Sequence, residues 1–540
     1  MAAPLRHALS ALVWLAMAVI YLPMLPAAGL LLAPAFSPDD WLSLMSDPQL
    51  PQALAATLVS ALIATLGALF IALSLVTLLW PGERWRQLSS RLPWLLAIPH
   101  VAFATSVLLT FAEGGLFYQI CTLCTAQMDR YGIGLGLTLA VKESAFVLWM
   151  LYAVLSEHPL AQQKLVLQTL GYGRLQTLRL LILPTIAPAL GAVMLAVLAW
   201  SLSVVDVAIV LGPGNPPTLA VLAWHWLSQG DAQQQVKGTL LCVILLVLLA
   251  VLAAIGYGIW NTWRRTLPDM SGIRRVSHAR LPLSAGAGFL PGCGVLCAAV
   301  LVMLARYREV DLALYTTSLS LGLLSSLLAL VIIFLWLEWG PQRRAQWVWL
   351  PLALPALPLV SGQYDLALRL GMDGHYTAVL WGHLLWVVPW MLLILQPAWR
   401  RLDPRLILTA KTLGWRRTKI FVLLKCPLLI RPCPAGVCHG LFGEHGAIHA
   451  DALAGCGAVR HADHRGRRAR QRRQCPGAGK PGARPAAGHR QYICCRRAVI
   501  PARRPLPQRT TLVLKIDNLT IEPLFRQVSF CVPPGAHRHA

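Results

Sequence analysis

The sequence predicts an all-α, polytopic membrane protein built as two tandem six-helix repeats, the second ending after four helices. Three observations carry that expectation: apolar runs of membrane-spanning length, basic residues gathered in alternate connecting segments, and one Gly–Pro pattern that occurs twice, 243 residues apart. The chain has 540 residues, 56% of them hydrophobic and only 13% charged, with a mean hydropathy of +0.60. Soluble domains carry about twice that charge, so a water-soluble globular class is excluded.

A hydrocarbon core of about 30 Å takes roughly 20 apolar residues as helix, because backbone groups left unpaired in lipid cost several kcal/mol each. That ruler places ten spans, near 11–33, 54–80, 92–112, 133–156, 185–208, 237–259, 284–305, 312–338, 347–363 and 377–398. The first run is longer than the apolar core of a secretory leader and lacks a small-residue cleavage site, so it reads as a retained helix. With the N-terminus in the cytoplasm, the inner connecting segments hold 22 Lys and Arg and the outer ones 4. Short basic loops resist translocation, and the bias sets that orientation.

"QTLGYGRLQTLRLLILP" (168–184) and "KTLGWRRTKIFVLLKCP" (411–427) both fall on the inner side. Gly171 and Gly414 each precede a proline by thirteen positions, Pro184 and Pro427, and Thr169-Leu170-Gly171-Tyr172 matches Thr412-Leu413-Gly414-Trp415. Six spans lie between the copies, and an even number gives two units of one orientation, related by an axis along the membrane normal. "AFVLWML" (145–151) also matches "WVVPWML" (386–392), and a Pro-bearing span precedes each, "LLAIPHVAF" and "PLALPALPL". Gly allows a sharp turn between short helices, and Pro suits the first turn of the following membrane helix. Leu165, Leu167, Leu170, Leu175 and Leu178 give the first copy an apolar face that must bury against something.

The Gly-x12-Pro segment resembles the signature of permease subunits of binding-protein-dependent ABC importers, EAA-x3-G-x9-I-x-L-P. Residue by residue, Gly171, Leu181, Leu183 and Pro184 match in the first copy, and Gly414, Leu424 and Pro427 in the second, where Cys426 replaces the usual Leu. The acidic-Ala-Ala part departs in both, being Leu165-Val166-Leu167 and Leu408-Thr409-Ala410. The resemblance implies a type I importer permease fold and a loop that docks on a cytoplasmic ATPase and moves with it. Two such loops in one chain resemble the fused permeases of the ferric-iron and thiamine importer group. "LAVKESAFVLWML" (139–151) and "VVDVAIVLGPGNPPTLAV" (204–221) also look like that group, and the likeness covers roughly residues 1–430.

The implied partners are an ABC ATPase dimer on the cytoplasmic side, a periplasmic substrate-binding protein and membrane lipid; no nucleic acid is expected. A phosphate cradle takes G-x4-G-K-[ST], and the one Gly-Lys stands in "PGAGKPG" (476–482). The chain is therefore expected to carry no cofactor of its own, ATP and Mg being bound by the ATPase. It reads as a transport subunit of a bacterial inner membrane rather than an enzyme. A secondary transporter with parallel repeats, driven by an ion gradient, is the rival from another class; it leaves the Gly-x12-Pro pair without a role.

Charges inside the spans are the candidates for a translocation path. Lys142 and Glu143 stand about ten residues into the fourth span, where a charge tends to face a partner or a wet cavity. Aligning Trp149 with Trp390 sets His383 opposite Lys142 in the repeat, and Asp206 closes the fifth span, where it suits a helix-end charge as well as a path residue. Two readings stay open for Lys142 and Glu143: a place on the path between the halves, or a shallow position from which they reach outer water. Cys121 and Cys124 form a lone CxxC on the outer side, with no second pair or nearby His to make a zinc site, and no metal site is expected.

After Pro427 the composition changes. Residues 431–509 hold 15 Arg, one Lys, six Cys and six His against three acidic residues. Cys433, Cys438, Cys456, Cys475 and Cys494 lack metal-ligand spacing, and aromatic residues for base stacking are nearly absent. A shifted reading frame accounts for more: Leu codons CTG-CTG read one base late give Cys-Cys, as in "CCRRAV" (494–499). The segment "LVLKIDNLTIEPLFRQVSFCVPPGA" (512–536) alternates apolar and polar residues and resembles the opening strands of an ABC ATPase. The expected division is thus a first permease repeat (1–275), a second with four helices (276–430), a basic out-of-frame tail (431–510) and an ATPase-like remnant (511–536), in a product expected to be impaired.

Overall fold

The computed structural model describes residues 3–112, 115–117, 129–157, 160–266, 283–305, 312–340, 346–372, 374–400 and 402–429. Cys121 and Cys124 and the segments 431–510 and 511–536 lie outside the described residues. What is described is helical throughout, as the hydropathy requires: α1 (Ala3–Tyr21), α2 (Met24–Leu32), α3 (Pro38–Met45), α4 (Leu50–Leu79), α5 (Glu83–Ala97), α6 (His100–Phe111), α7 (Ile133–Glu157), α8 (Leu160–Thr169), α9 (Arg174–Thr177), α10 (Leu183–Ser203), α11 (Asp206–Leu211), α12 (Leu219–Ser228), α13 (Ala232–Arg265), α14 (Leu283–Ala305), α15 (Leu312–Trp339), α16 (Leu350–Ala353), α17 (Ala356–Arg369), α18 (Tyr376–Arg400), α19 (Pro404–Thr412), α20 (Arg417–Ile420) and α21 (Cys426–Leu429).

Among the described residues eight stretches are long and apolar enough to cross a bilayer, and the bent pair α5–α6 makes a ninth. The ninth expected span, 347–363, is corrected by the structure: it is not one rod but a 3-10 turn (Gln346–Trp349), α16 and the fourteen-residue α17. Its breaks are proline chemistry. Pro355 has no N–H to continue the ladder from α16, and it sits in extended backbone as the cap of α17. The third span breaks in the same way at Pro99, where α5 and α6 meet at 93°.

Among the described residues, two parallel helices make the most extensive helix–helix contact. Along α4 and α7, Ser60 faces Gly132 and Gly136, and Gly67 faces Ala140, so the neighbours advance together. With little hydrophobic force between helices in lipid, close backbone approach through small residues takes its place. A Cβ at Gly67 would stand 2.7 Å from the Cβ of Ala140. On the opposite face of α4, Leu62, Leu66 and Phe70 are exposed at helical spacing, a stripe suited to lipid.

Helices distant in sequence pack on one another at two places. Val13, Met17 and Ile20 of α1 are buried with Ala329, Ile333 and Trp336 of α15 and with Leu385 and Met391 of α18. Trp381 donates to the main-chain oxygen of Ile20 at 3.0 Å. Reciprocally, Gly294 of α14 lies against Leu95 and Cys297 against Ala102, on α5 and α6. Main-chain N–H groups at the breaks find hydroxyls: Ala356 donates to Ser203 Oγ and Leu219 to Thr57 Oγ1, both at 2.8 Å, as a water-free interior demands.

Candidate functional site

The two Gly–Pro segments share one backbone. Helix α8 ends with Gly171 at φ +88°, and α19 with Gly414 at φ +75°. In each, the glycine N–H returns to the carbonyl three residues back (Gln168, Lys411) and the next N–H to the carbonyl five back (Leu167, Ala410), all at 3.0 Å. This is the Schellman closure, and the left-handed residue in it favours glycine. Short helices follow, α9 and α20, then five-residue π turns at Leu178–Ile182 and Phe421–Lys425. The wide turn ends beside Pro184 and Pro427, whose missing donors let the ladder change register.

These segments present leucines outward at matching positions. Leu165 is 63% exposed and its counterpart Leu408 62%; Leu170 and Leu413 are 43% and 55% exposed. Leu175 is exposed too, while Leu178 turns into the core and Leu181, Leu183 and Leu424 are half-buried. The first segment is tied to the end of α4 by Lys164, whose ammonium donates to the Trp80 carbonyl and lies 5.2 Å from that indole.

A second group of polar residues sits where α5 breaks. In a continuous helix the Leu95 carbonyl would accept from residue 99, but Pro99 has no N–H; Lys142 Nζ donates to it instead at 2.8 Å. Beside it, Glu143 Oε1 and His100 Nε2, the first residue of α6, lie 2.6 Å apart. Both α7 side chains are buried. They border a cavity of about 70 Å³ whose walls come from both halves of the chain, including His100, Glu143, Phe146, Trp200, Trp386 and Trp390. The rings of Phe146 and Trp390 meet edge to face across it at 5.1 Å.

Of the four expected path residues, the structure brings two together. Lys142 and Glu143 adjoin the cavity; His383 is buried in α18 and Asp206 in the first turn of α11, and neither lines it. The Lys142 ammonium points to the carbonyl at the broken helix.

Comparison with known proteins settles the class. The chain is 60% identical over 432 residues to the inner membrane ABC transporter permease protein YnjC of Escherichia coli (strain K12), a match spanning 80% of this chain and 84% of that one. The chain belongs to the ABC transporter permease family. No family model matches it. A permease of this kind is a transport subunit of the inner membrane working with an ATPase, and its bundle of apolar helices suits that place.

Within the permease, three features escape the sequence. His100 is an unremarked residue after a proline until the 93° bend sets it against Glu143. Trp200 and Trp386 are ordinary span residues until the halves meet around the cavity. Glu338 stands at the end of α15, yet it receives Arg417 and Lys425 from the second Gly–Pro segment. A signal existed only for the first of these, in the mid-span proline at position 99. Among the described residues no three His, Cys, Asp or Glu side chains gather as metal ligands.

Proposed function

We propose that this permease is the membrane half of an ABC importer in which one polypeptide supplies both repeats, with the segments 157–183 and 399–427 as coupling loops for a cytoplasmic ATPase dimer. The observation that carries this reading is the pair of exposed leucines at equal register on two loops of equal backbone, Leu165 with Leu408 and Leu170 with Leu413. Matched apolar patches on a polar rim suit a docking surface more than solvent. A symmetric ATPase dimer would offer two grooves, one for each. The N-terminus is cytoplasmic in this reading. A periplasmic binding protein, as in the ferric-iron and thiamine group, delivers a small solute to the cavity between the halves. ATP and Mg stay on the ATPase, and closure of its dimer swings the loops so that the solute is released inward.

The tail fits the same reading as an accident of frame: 431–510 stands where two further helices belong, and 511–536 as the start of the downstream ATPase. The matched relative leaves about a fifth of the chain uncovered. The test is co-expression with that downstream ATPase in full length. The parent should co-purify with it, and Leu165→Glu with Leu408→Glu should abolish recovery while leaving the permease folded in detergent. Equal recovery of the double variant would remove the docking role. Resequencing the gene across codons 428–509 decides the frame: absence of two apolar spans in any alternative frame would end that part of the reading.

A further inference from the structure

The two loops are fastened to the membrane helices by different chemistry. Glu338, one residue before the end of α15, is buried, and each carboxylate oxygen takes a cation from the second loop: Oε1 from Arg417 Nε and Oε2 from Lys425 Nζ, both at 2.5 Å. The guanidinium of Arg417 also donates to the Glu338 carbonyl. Arg417 opens α20 and Lys425 closes the π turn, so the carboxylate grips the loop at both ends of its short helix. Aromatic rings complete the grip. Phe421, midway, lies edge-on to Trp339 at 4.9 Å, with Phe334 and Trp399 at 6.4 and 6.5 Å, and Lys425 sits 4.5 Å from the Trp399 ring. The first loop hangs from Lys164 and a main-chain oxygen, with Leu178 where the second has Phe421.

We propose that Glu338 is the positioning residue that makes the second coupling loop one rigid body with α15 and α18, so that displacement of this loop is carried directly into the half of the membrane domain that walls the cavity at Trp386 and Trp390. Charge-assisted bonds are short and directional, and a carboxylate bridging two cations fixes both at once. Without it, Arg417 and Lys425 become two like charges side by side at the bundle edge and push the loop off α15. The levers therefore differ in kind: a carboxylate bridging two cations fastens the second, while Lys164 on Trp80 and the apolar packing of Leu160, Leu178 and Ile182 fasten the first. This inference rests on the coupling-loop reading above, since a displacement needs something to deliver it.

The experiment uses the full chain in lipid nanodiscs with the co-expressed ATPase, read by hydrogen exchange with and without ATP and vanadate. In the parent, trapping the nucleotide should alter exchange at 417–425 and at the end of α15 together. In Glu338→Gln the ATPase should still co-purify and the loop should still respond, but exchange at 417–425 should rise about tenfold at rest and the response at 330–340 should vanish. Glu338→Asp should restore part of it. A response at 330–340 in Glu338→Gln equal to the parent's overturns the proposal while leaving the docking role standing. Failure of the parent itself to hold the ATPase overturns the coupling-loop reading and the transmission role with it. Loss of the ATPase in Glu338→Gln alone would also overturn it, making Glu338 part of the docking surface instead.

Discussion

Lys142 lends its ammonium to the Leu95 carbonyl at 2.8 Å, four residues before Pro99. The bend in the third span and the charge in the fourth are thereby one feature: the proline removes a donor and the lysine supplies another. An unpaired carbonyl in a dry interior costs about 1–3 kcal/mol. Lys142→Met should therefore lower the thermal unfolding midpoint in detergent. Pro99→Ala introduced into Lys142→Met should recover part of the loss, because residue 99 then has an N–H for Leu95. If the two substitutions simply add, the carbonyl is not the reason the lysine is there.

Lys164 gives a pH signature outside the membrane. Burial, with the positive charge of Arg174 as a smaller contribution, pulls its ammonium from the usual 10.5 down to about 8. Between those values the unfolded chain binds more protons than the folded one, so this residue makes stability rise with pH from about 8 to 10.5. Below pH 8 both states are charged and the burden of burying the cation is carried in full. Unfolding midpoints of the parent and Lys164→Met should converge as pH climbs through that window. A constant difference across it would refute the assignment.

How much of this was written in the sequence depends on the range of the forces involved. Spans are local: twenty apolar residues announce themselves, and the all-α membrane fold follows from the hydropathy alone. The turns at Gly171 and Gly414 are local as well, because a left-handed residue within a Schellman closure needs glycine and leaves it at a fixed distance from the next span. Breaks are harder. Pro99 and Pro355 are visible, but a proline in a span can kink it or end it, and which it does depends on what distant residues satisfy at the break, Lys142 at the first and Ser203 at the second. Contacts between halves are not local at all. Nothing near position 338 tells that its carboxylate meets Arg417 and Lys425, 79 and 87 residues on, and nothing near position 13 tells that α1 packs on the far half.

Gly414 isolates the backbone requirement of the second Gly–Pro segment. Open space surrounds the position a Cβ would take, so any penalty there comes from φ +75° and not from crowding. A left-handed conformation costs an ordinary L-residue roughly 1–2 kcal/mol, less for Asn. Exchange rates of amides 410–416 should rank Gly slowest, then Asn, then Ala, with Val fastest. Equal rates for Gly and Val would mean that the turn does not hold that conformation.

The α4–α7 contact gives the sharpest test of packing. Gly67→Ala puts a methyl 2.7 Å from the Ala140 Cβ, inside any distance that non-bonded carbons adopt, so the two parallel helices must shift at this point. Overpacking of that kind costs about 1–3 kcal/mol. The clash has one named partner, so removing that partner should undo it. Gly67→Ala should lower the unfolding midpoint, and adding Ala140→Gly should restore most of the loss, although Ala140→Gly by itself should be destabilising through the extra glycine in a helix. Two losses that combine into a near-parental protein would place the helices in direct contact at this pair; two losses that merely accumulate would separate them.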